Sequence, residues 1–330
     1  MDLSNYKKIF KHYTELRVQE NSSIRFGLLN GSLVSNEESS NSGVSSRVYK
    51  NGNWGFSSNA IINDKSIRNV IKSSSDNAIF LNQMKNQKCG IILPENNYTY
   101  QMNLSTKKNK NNNVYWIEFI SEIDNYIKNK YSFISSRRIF ISNLNMEKNL
   151  ITSSGTESYS FTPRSLLYVI LTTEKDDNLT ELMEVYGGLG QLEDNFIKVE
   201  DFFKKIDYLV EKLKQKSCGV YPKAGTHEVV LDADLAGILA HEAIGHTTEA
   251  DFVLGGSVAA EYLNKPVASD LISLIDYANK VNDQICPVPV FVDDEGTKAD
   301  DVHIIENGIL KSYMHNKDSA NELGMNLTGN

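Results

Sequence analysis

The sequence predicts an α+β protein of two domains, and three observations lead to this prediction. Strand-like runs and one-faced helices alternate through the first two hundred residues. The pattern then breaks at Cys218–Pro222, and the length of 330 residues exceeds that of one average domain. We therefore expect an N-terminal α/β scaffold domain over 1–220, built on an antiparallel sheet with helices. A β-rich C-terminal domain over 221–330 follows, entered by a helix that carries two histidines.

Two hairpins are predicted near the start of the chain. Arg25–Leu29 and Ser46–Tyr49 have the composition of strands, and they lie next to the pairs Asn30-Gly31 and Asn51-Gly52. Asn-Gly adopts the positive φ angles that two-residue hairpin turns require. The segment is therefore expected to form an antiparallel meander.

Helices and further strands follow this meander. Apolar residues at steps of three and four predict helices over 65–87 and 114–130, and a third helix that starts at Asp201. Strand composition returns at Ile134–Ile141 and at Ser158–Thr173. Gly187–Gly190 is the densest glycine cluster, but no Gly-Lys-Ser/Thr sequence accompanies it. We therefore interpret it as a loop or strand bulge and not as a phosphate cradle.

Composition excludes some classes of function. The 34 basic and 42 acidic residues give a net charge of -8, so the chain offers nucleic-acid phosphate no favourable overall field. The first residues lack the apolar run of a signal peptide, and no apolar stretch approaches about 18 residues. We therefore expect a cytoplasmic protein that neither binds nucleic acid nor spans a membrane. Cys89, Cys218 and Cys286 lack metal-type spacing and are expected to be reduced thiols.

The chemistry-bearing motif lies just beyond the predicted boundary. His227–Leu231 has the composition of a strand, and Asp232 or Asp234 can cap a helix that begins at Leu235. This helix delivers the sequence His-Glu-Ala-Ile-Gly-His at 241–246. Two histidines bracketing a glutamate are typical of metal-dependent hydrolases.

The spacing of the two histidines constrains the backbone. Five steps along an ideal α-helix leave the two imidazoles about 140° apart, so a straight helix cannot present both to one metal ion. A wide turn closed by i→i+5 bonds, or a helix that opens at Gly245, brings them together. Glycine lowers the cost of leaving helical dihedral angles, which predicts a mechanical role for Gly245.

With both imidazoles on one side, the residue types favour zinc. Histidine nitrogens bind zinc at about 2.0–2.1 Å, and a catalytic site uses three protein ligands and a water. Glu242 points elsewhere around an ideal helix, so we predict it as the general base of metal-assisted amide hydrolysis. Glu249 and Asp251 are possible ligands or orienting groups. Cys286, before the edge-strand-like run to Phe291, is a weaker candidate for the third ligand.

These residues resemble the TldD/PmbA metallopeptidases, and specifically the TldD-like catalytic subunit. The resemblance spans the chain and is strongest from about residue 224. The matching segments are Val48–Phe56, Ala224–Thr226, His241–His246, Asp251–Phe252, Asp293–Thr297, Ile305–Lys311, Tyr313–Met314 and Thr328–Asn330.

The resemblance implies a zinc-dependent peptidase that cuts small or unfolded peptides and acts with a related non-catalytic TldE/PmbA-like subunit. It implies that His241 and His246 bind Zn²⁺ and that Glu242 is the base. The third ligand of the family is a later cysteine that has no counterpart here, and the pattern stops at Asn330. We therefore expect residues 221–330 to be an incomplete zinc metallopeptidase domain, with weaker zinc binding than a complete chain.

Two alternatives to a peptidase subunit remain open. The chain can be a catalytically inactive fragment or partner subunit that acts by binding peptides or proteins. It can also be an α+β protein in which His241, Glu242 and His246 are ordinary helix residues. Measured metal content distinguishes a zinc peptidase subunit from these two alternatives.

Overall fold

A large sheet organises the N-terminal part of the protein. The computed structural model describes residues 2–85, 93 and 97–329. Within them, seven strands pair in the order β3-β2-β1-β5-β6, and both β4 and β7 pair with β6. The strands are β1 (Tyr13–Leu29), β2 (Ser32–Lys50), β3 (Asn53–Asn59), β4 (Thr99–Asn103), β5 (Ile134–Thr152), β6 (Glu157–Lys175) and β7 (Asn178–Leu189).

The two predicted hairpins are confirmed. Asn30 and Gly31 have φ angles of 50° and 83°, and they join β1 to β2. Asn51 and Gly52, with φ angles of 48° and 84°, join β2 to β3. Both pairs therefore occupy the left-handed region that asparagine and glycine tolerate best.

The sheet is mostly antiparallel, as predicted, with one parallel pair among the described strands. β4 runs parallel to the first residues of β6, and β7 runs antiparallel to the rest of that edge. The glycine cluster ends β7. A Cβ at Gly187 would lie 2.2 Å from the carbonyl oxygen of Ser165, so the close approach of β7 to β6 there requires glycine.

Helices cover one face of the sheet. The longer ones are α1 (Asp64–Lys85), α2 (Asn113–Lys130) and α4 (Phe203–Ser217), and the short α3 (Leu192–Asn195) precedes α4. They match the three predicted helices, except that residues 86 and 87 lie outside the described residues, as does Cys89. Phe26 and Leu28 of β1 pack with α2 and α4, and Leu16 and Val18 pack with α1. Because these residues are all even-numbered, the helices share one face.

The opposite face of the sheet contacts the C-terminal part of the chain. The Lys148 Nζ–Asp294 Oδ1 distance is 2.8 Å, and Arg17 also pairs with Asp294. Arg47 Nη1 lies 3.1 Å from Glu295 Oε1. The turn that contains Asp294 and Glu295 is therefore attached to the sheet by three ion pairs.

Short elements make up residues 221–329. Ala250, Val253, Val302, Ile304 and Tyr313 belong to their shared apolar cluster. The helices are α5 (Ala233–Ala240), α6 (Ala250–Leu254) and α7 (Lys317–Leu323), and the strands are β8 (Leu274–Asp276), β9 (Lys280–Val281), β10 (Gln284–Ile285), β11 (Val302–Glu306) and β12 (Ile309–Leu310). Strand β11 pairs with β8 and β12, and β9 pairs with β10. The α+β class is confirmed.

Two predicted strands do not form. Residues 227–231 are irregular and exposed, and no described strand pairs with them. The run from Cys286 to Phe291 is also irregular, since Pro287 and Pro289 lack the N–H groups of a ladder. Apolar composition was therefore an insufficient guide, because no strand in the described part of the chain pairs with either segment. None of the described helices combines the length and apolarity needed to cross a bilayer.

Candidate metal centre

The helix that delivers the motif begins where the sequence predicts. Asp232 is the cap of α5, and its Oδ1 accepts a hydrogen bond of 2.9 Å from the backbone N–H of Leu235. No residue of α5 is buried, and Leu235, Ile238 and Leu239 are each about half exposed. The cap stabilises the first turn of α5, which leads into the motif.

A wide turn follows α5 directly and confirms the predicted bulge. Residues His241–Gly245 form a π-helical turn, in which the backbone N–H of His246 donates to the carbonyl oxygen of His241. Since this bond joins residues five apart, it brings the imidazole of His246 next to the imidazole of His241. The centroids of the two imidazole rings lie 4.5 Å apart, with an angle of 66° between the ring planes.

Gly245 does not have the predicted mechanical role in the wide turn. Its φ of -49° and ψ of -63° are helical values that any residue adopts. A Cβ there would lie 3.7 Å from the carbonyl oxygen of Ala240 and 3.9 Å from Nδ1 of His241, which are ordinary contacts. The turn therefore widens through its hydrogen bonding and not through the conformational freedom of glycine.

The wide turn gathers three potential metal-binding groups. Ligand atoms of His241, Glu242 and His246 lie within 4.8 Å of one another, and all three residues are exposed. The carboxylate of Glu242 thus lies beside the two imidazoles. Two ligands at about 2.1 Å from one ion lie at most about 4.2 Å apart, so small side-chain rotations bring this set into range. The two histidine nitrogens suit a zinc ion, and the Glu242 carboxylate lies beside them.

Glu249 orients the second histidine. Its Oε1 lies 2.7 Å from Nδ1 of His246. A carboxylate at one ring nitrogen leaves the other, Nε2, facing away as a ligand atom. Of the two acidic residues predicted near the site, the structure brings Glu249 to a histidine. Asp251 instead accepts a hydrogen bond of 2.9 Å from the backbone N–H of Phe252.

Cys286 is not part of the described three-residue cluster. Burial raises the pKa of its thiol, and the carboxylates of Asp301 and Asp276 raise it further. The protonated thiol is therefore favoured, whereas a zinc ligand is a thiolate. Cys218 differs, because the ammonium of Lys175 lies 3.2 Å from its sulfur and lowers its pKa.

An open pocket of about 700 Å³ extends from His241. The residues that line it are Gly237, Ala240, His241, Gly245, Glu249, Asp251, Leu274, Ile275, Asp276, Ile304, Met314, His315 and Asn316. The sequence-based prediction missed Met314, His315 and Asn316, which lie more than sixty residues after the motif. The Tyr313-Met314 pair matched the family pattern, and this was the one signal that pointed to them.

Backbone hydrogen bonds attach this pocket wall to the motif. The N–H of Met314 donates to the carbonyl oxygen of Thr248, and the N–H of Ala250 donates to the carbonyl oxygen of Met314, both at 3.0 Å. Glu249 lies between the two bonded residues. The next wall residue, His315, is 3% exposed, and burial lowers its pKa. Its ring is therefore neutral near neutral pH.

The wide turn, its donor set and the adjoining open pocket suit a metal-dependent hydrolase, the class to which the metallopeptidases belong. Comparisons with known proteins give the same class. The family model described as "PmbA/TldA metallopeptidase C-terminal domain" matches residues 224–330, and the one described as "PmbA/TldA metallopeptidase domain 1" matches residues 14–78. The chain belongs to the PmbA/TldD family of metallopeptidases.

Curated relatives carry related names. Metalloprotease MJ0996 of Methanocaldococcus jannaschii is 29% identical, over 100% of this chain and 72% of its own length. The zinc metalloprotease TldD homolog of Saccharolobus solfataricus is 28% identical, over 87% of this chain and 61% of its own length. This chain therefore spans about two thirds of the length of these relatives.

A solved structure supports the fold. TldE from Thermococcus kodakarensis matches with a TM-score of 0.70 and 17% sequence identity. The match covers 99% of this chain and 72% of that one. At this identity the similarity shows a shared fold and no more.

Proposed function

We propose that this chain is a zinc-dependent peptidase subunit that hydrolyses small or unfolded peptides. The observation that carries the proposal is the convergence of His241, Glu242 and His246 to within 4.8 Å on the wide turn. We assign zinc to His241 and His246, with residues 221–330 as the metallopeptidase domain and 1–220 as its scaffold. Zinc suits the nitrogen ligands and is named in one relative.

Each residue of the centre has a separate role in this proposal. His241 and His246 supply imidazole nitrogens, and Glu249 holds the ring of His246 through the 2.7 Å contact to Nδ1. When bound there, a zinc ion would supply the Lewis acidity that makes water a nucleophile near neutral pH. Glu242 accepts the proton from the attacking water and returns it to the leaving amine. The open pocket beside His241 leaves room for an extended peptide.

Two further parts of the proposal concern the setting of the activity. We propose a related TldE/PmbA-like partner subunit, supported by the shared fold with TldE. We also propose that the protein works in the cytoplasm. Copurification with a tagged partner and fractionation of cells test these two statements. A negative result in either experiment does not affect the assignment of the metal centre.

The test of function compares Glu242→Gln with Glu261→Gln. Glu261 is an exposed glutamate outside the cluster, so its variant controls for loss of surface charge. Zinc binding is measured by titration with Zn²⁺, and cleavage of an unfolded peptide library is followed by mass spectrometry, with and without the partner subunit. We expect Glu242→Gln to keep zinc and lose cleavage while Glu261→Gln keeps both.

The same test distinguishes the peptidase subunit from the two alternatives. A wild-type chain that holds zinc but cleaves nothing, even with the partner, would indicate a subunit that acts by binding. A chain that holds no zinc would remove the metal centre and leave the histidines as ordinary surface residues.

A further inference from the structure

Lys317 is a lysine whose side chain is completely buried, at 0% exposure, at the start of α7. Its ammonium donates to the hydroxyl of Tyr13 and to the backbone carbonyl of Glu295, the latter at 2.7 Å. Its own backbone N–H donates to Oε2 of Glu295 at 2.8 Å. The residue therefore joins β1 of the sheet to the 293–296 turn and to α7.

Other charged groups surround this lysine. Arg47 Nη1 lies 3.3 Å from Oε2 of Glu15 and 3.1 Å from Oε1 of Glu295. Glu15 and Glu295 are 3% and 7% exposed. The guanidinium of Arg47 also lies over the ring of Trp54, at 4.1 Å from its centroid. We call Glu15, Arg47, Glu295 and Lys317 the interface charge cluster.

A largely buried charge cluster contributes little to stability by itself, although the side chain of Arg47 remains partly exposed. Desolvation offsets most of the attraction between buried ions, and apolar residues of similar size often stabilise a protein equally well. Paired charges with fixed hydrogen-bond geometry do restrict how two parts of a chain fit together. The position of Lys317 in the chain indicates that the segment around Met314 is the part held in place.

Lys317 lies three residues after Met314, which is bonded to the motif. Met314 accepts from Ala250 and donates to Thr248, with both N···O distances 3.0 Å. Between these two residues, Glu249 contacts Nδ1 of His246 at 2.7 Å. A continuous set of bonds therefore leads from the sheet through Lys317 and Met314 to the second histidine.

We propose that Lys317 is a positioning residue for the metal centre, which fixes Met314 and so the place of Glu249 and the His246 ring. The proposal rests on the proposed function insofar as it concerns zinc. The segment has other attachments, since the hydroxyl of Tyr313 donates to the carbonyl oxygen of Ala259 at 2.9 Å. Lys317 differs from Tyr313 because it connects the segment to the N-terminal sheet, as does Asp318, which accepts a hydrogen bond from Nε1 of Trp54.

The test replaces Lys317 with methionine and uses Arg137→Met as the matched control. Arg137 forms a buried ion pair with Asp124, with Nε–Oδ1 at 2.9 Å, and this pair joins β5 to α2 on the opposite face of the sheet. Both variants delete one cation and leave buried carboxylate behind. They therefore test loss of a buried cation with and without a connection to the motif.

Two quantities are measured on the 330-residue chain. The first is the dissociation constant for Zn²⁺, from competition with a chromophoric chelator. The second is deuterium uptake in peptides covering 246–252, which reports the Ala250 N–H bond to Met314. We expect Lys317→Met to weaken zinc binding about tenfold, as for loss of other supports of metal ligands, and to speed exchange. Arg137→Met is expected to lower thermal stability but change neither quantity.

The outcomes separate this role from general destabilisation. Unchanged zinc affinity and exchange in folded Lys317→Met would overturn the proposal, as would equal changes in both variants. If Lys317→Met does not fold, Tyr13→Phe removes the hydroxyl that accepts from Lys317 and is judged by the same criteria. A wild-type chain that binds no zinc would defeat the proposed function, and exchange at 246–252 would then decide the role of Lys317 by itself.

Discussion

Glu15 is a buried carboxylate whose replacement by glutamine tests how the interface charge cluster is held. It is 3% exposed, and it accepts a hydrogen bond of 3.0 Å from the hydroxyl of Tyr13. Burial raises its pKa from 4.5 to about 7, although the nearby Arg47 opposes the rise. Because the folded-state pKa lies above the unfolded one, the folded chain favours the protonated form. The stability from this group is present below about pH 4.5 and is lost as the pH rises through about 7.

The rise from 4.5 to about 7 corresponds to about 3 kcal/mol at full ionisation. About 2–3 kcal/mol of this falls between about pH 5 and about pH 8. Urea unfolding of the wild type and Glu15→Gln is measured at both pH values, so that titration of all other groups largely cancels. We expect the free energy of unfolding of the wild type to fall relative to the variant by this amount. The reasoning would be refuted if the difference in unfolding free energy between the two proteins were the same at both pH values or changed with the opposite sign. Such a result would show that Arg47 keeps Glu15 ionised.

Three further predictions concern the wide turn. Glu242→Gln should reduce peptide cleavage by about 10²–10⁴-fold with little change in zinc content, and near-normal turnover would remove Glu242 as the base. Glu249→Gln should weaken zinc binding by about 10–100-fold through a less ordered His246 ring, and calorimetric titration with Zn²⁺ measures this change. Gly245→Ala should keep both the turn and zinc binding, since its Cβ would lie 3.9 Å from His241 Nδ1; loss of zinc would show that the turn needs glycine.

Local patterns predicted much of the fold. A stripe of six apolar residues predicted α2: Trp116, Phe119, Ile120, Ile123, Tyr126 and Ile127. Five of these side chains are buried in the core, and Tyr126 is partly buried against it. The Asn-Gly pairs predicted both hairpins because the φ requirement of such turns is local. The wide turn was predictable for a similar reason, since the spacing of two ligands excludes a straight helix.

Contacts between residues that lie far apart in the sequence were not predicted. The exposed residues 227–231 have strand composition, but no strand among the described residues pairs with them, and a strand is defined by its partner. Lys317 stands in the polar run Asn316-Lys317-Asp318-Ser319, which is typical of an exposed helix start. Its burial depends on Tyr13, which is 304 residues away. The link from Met314 to Glu249 likewise joins residues that no local pattern relates.

Anomalous diffraction at the zinc absorption edge, from crystals of the zinc-loaded chain, tests the assigned metal centre most directly. The account predicts one strong peak beside the wide turn, about 2.0–2.1 Å from a ring nitrogen of His241 and from a ring nitrogen of His246. The Glu249 carboxylate should remain at Nδ1 of His246 in that structure. A peak at other residues, or no peak between the two imidazoles, would contradict the assignment of zinc to this turn.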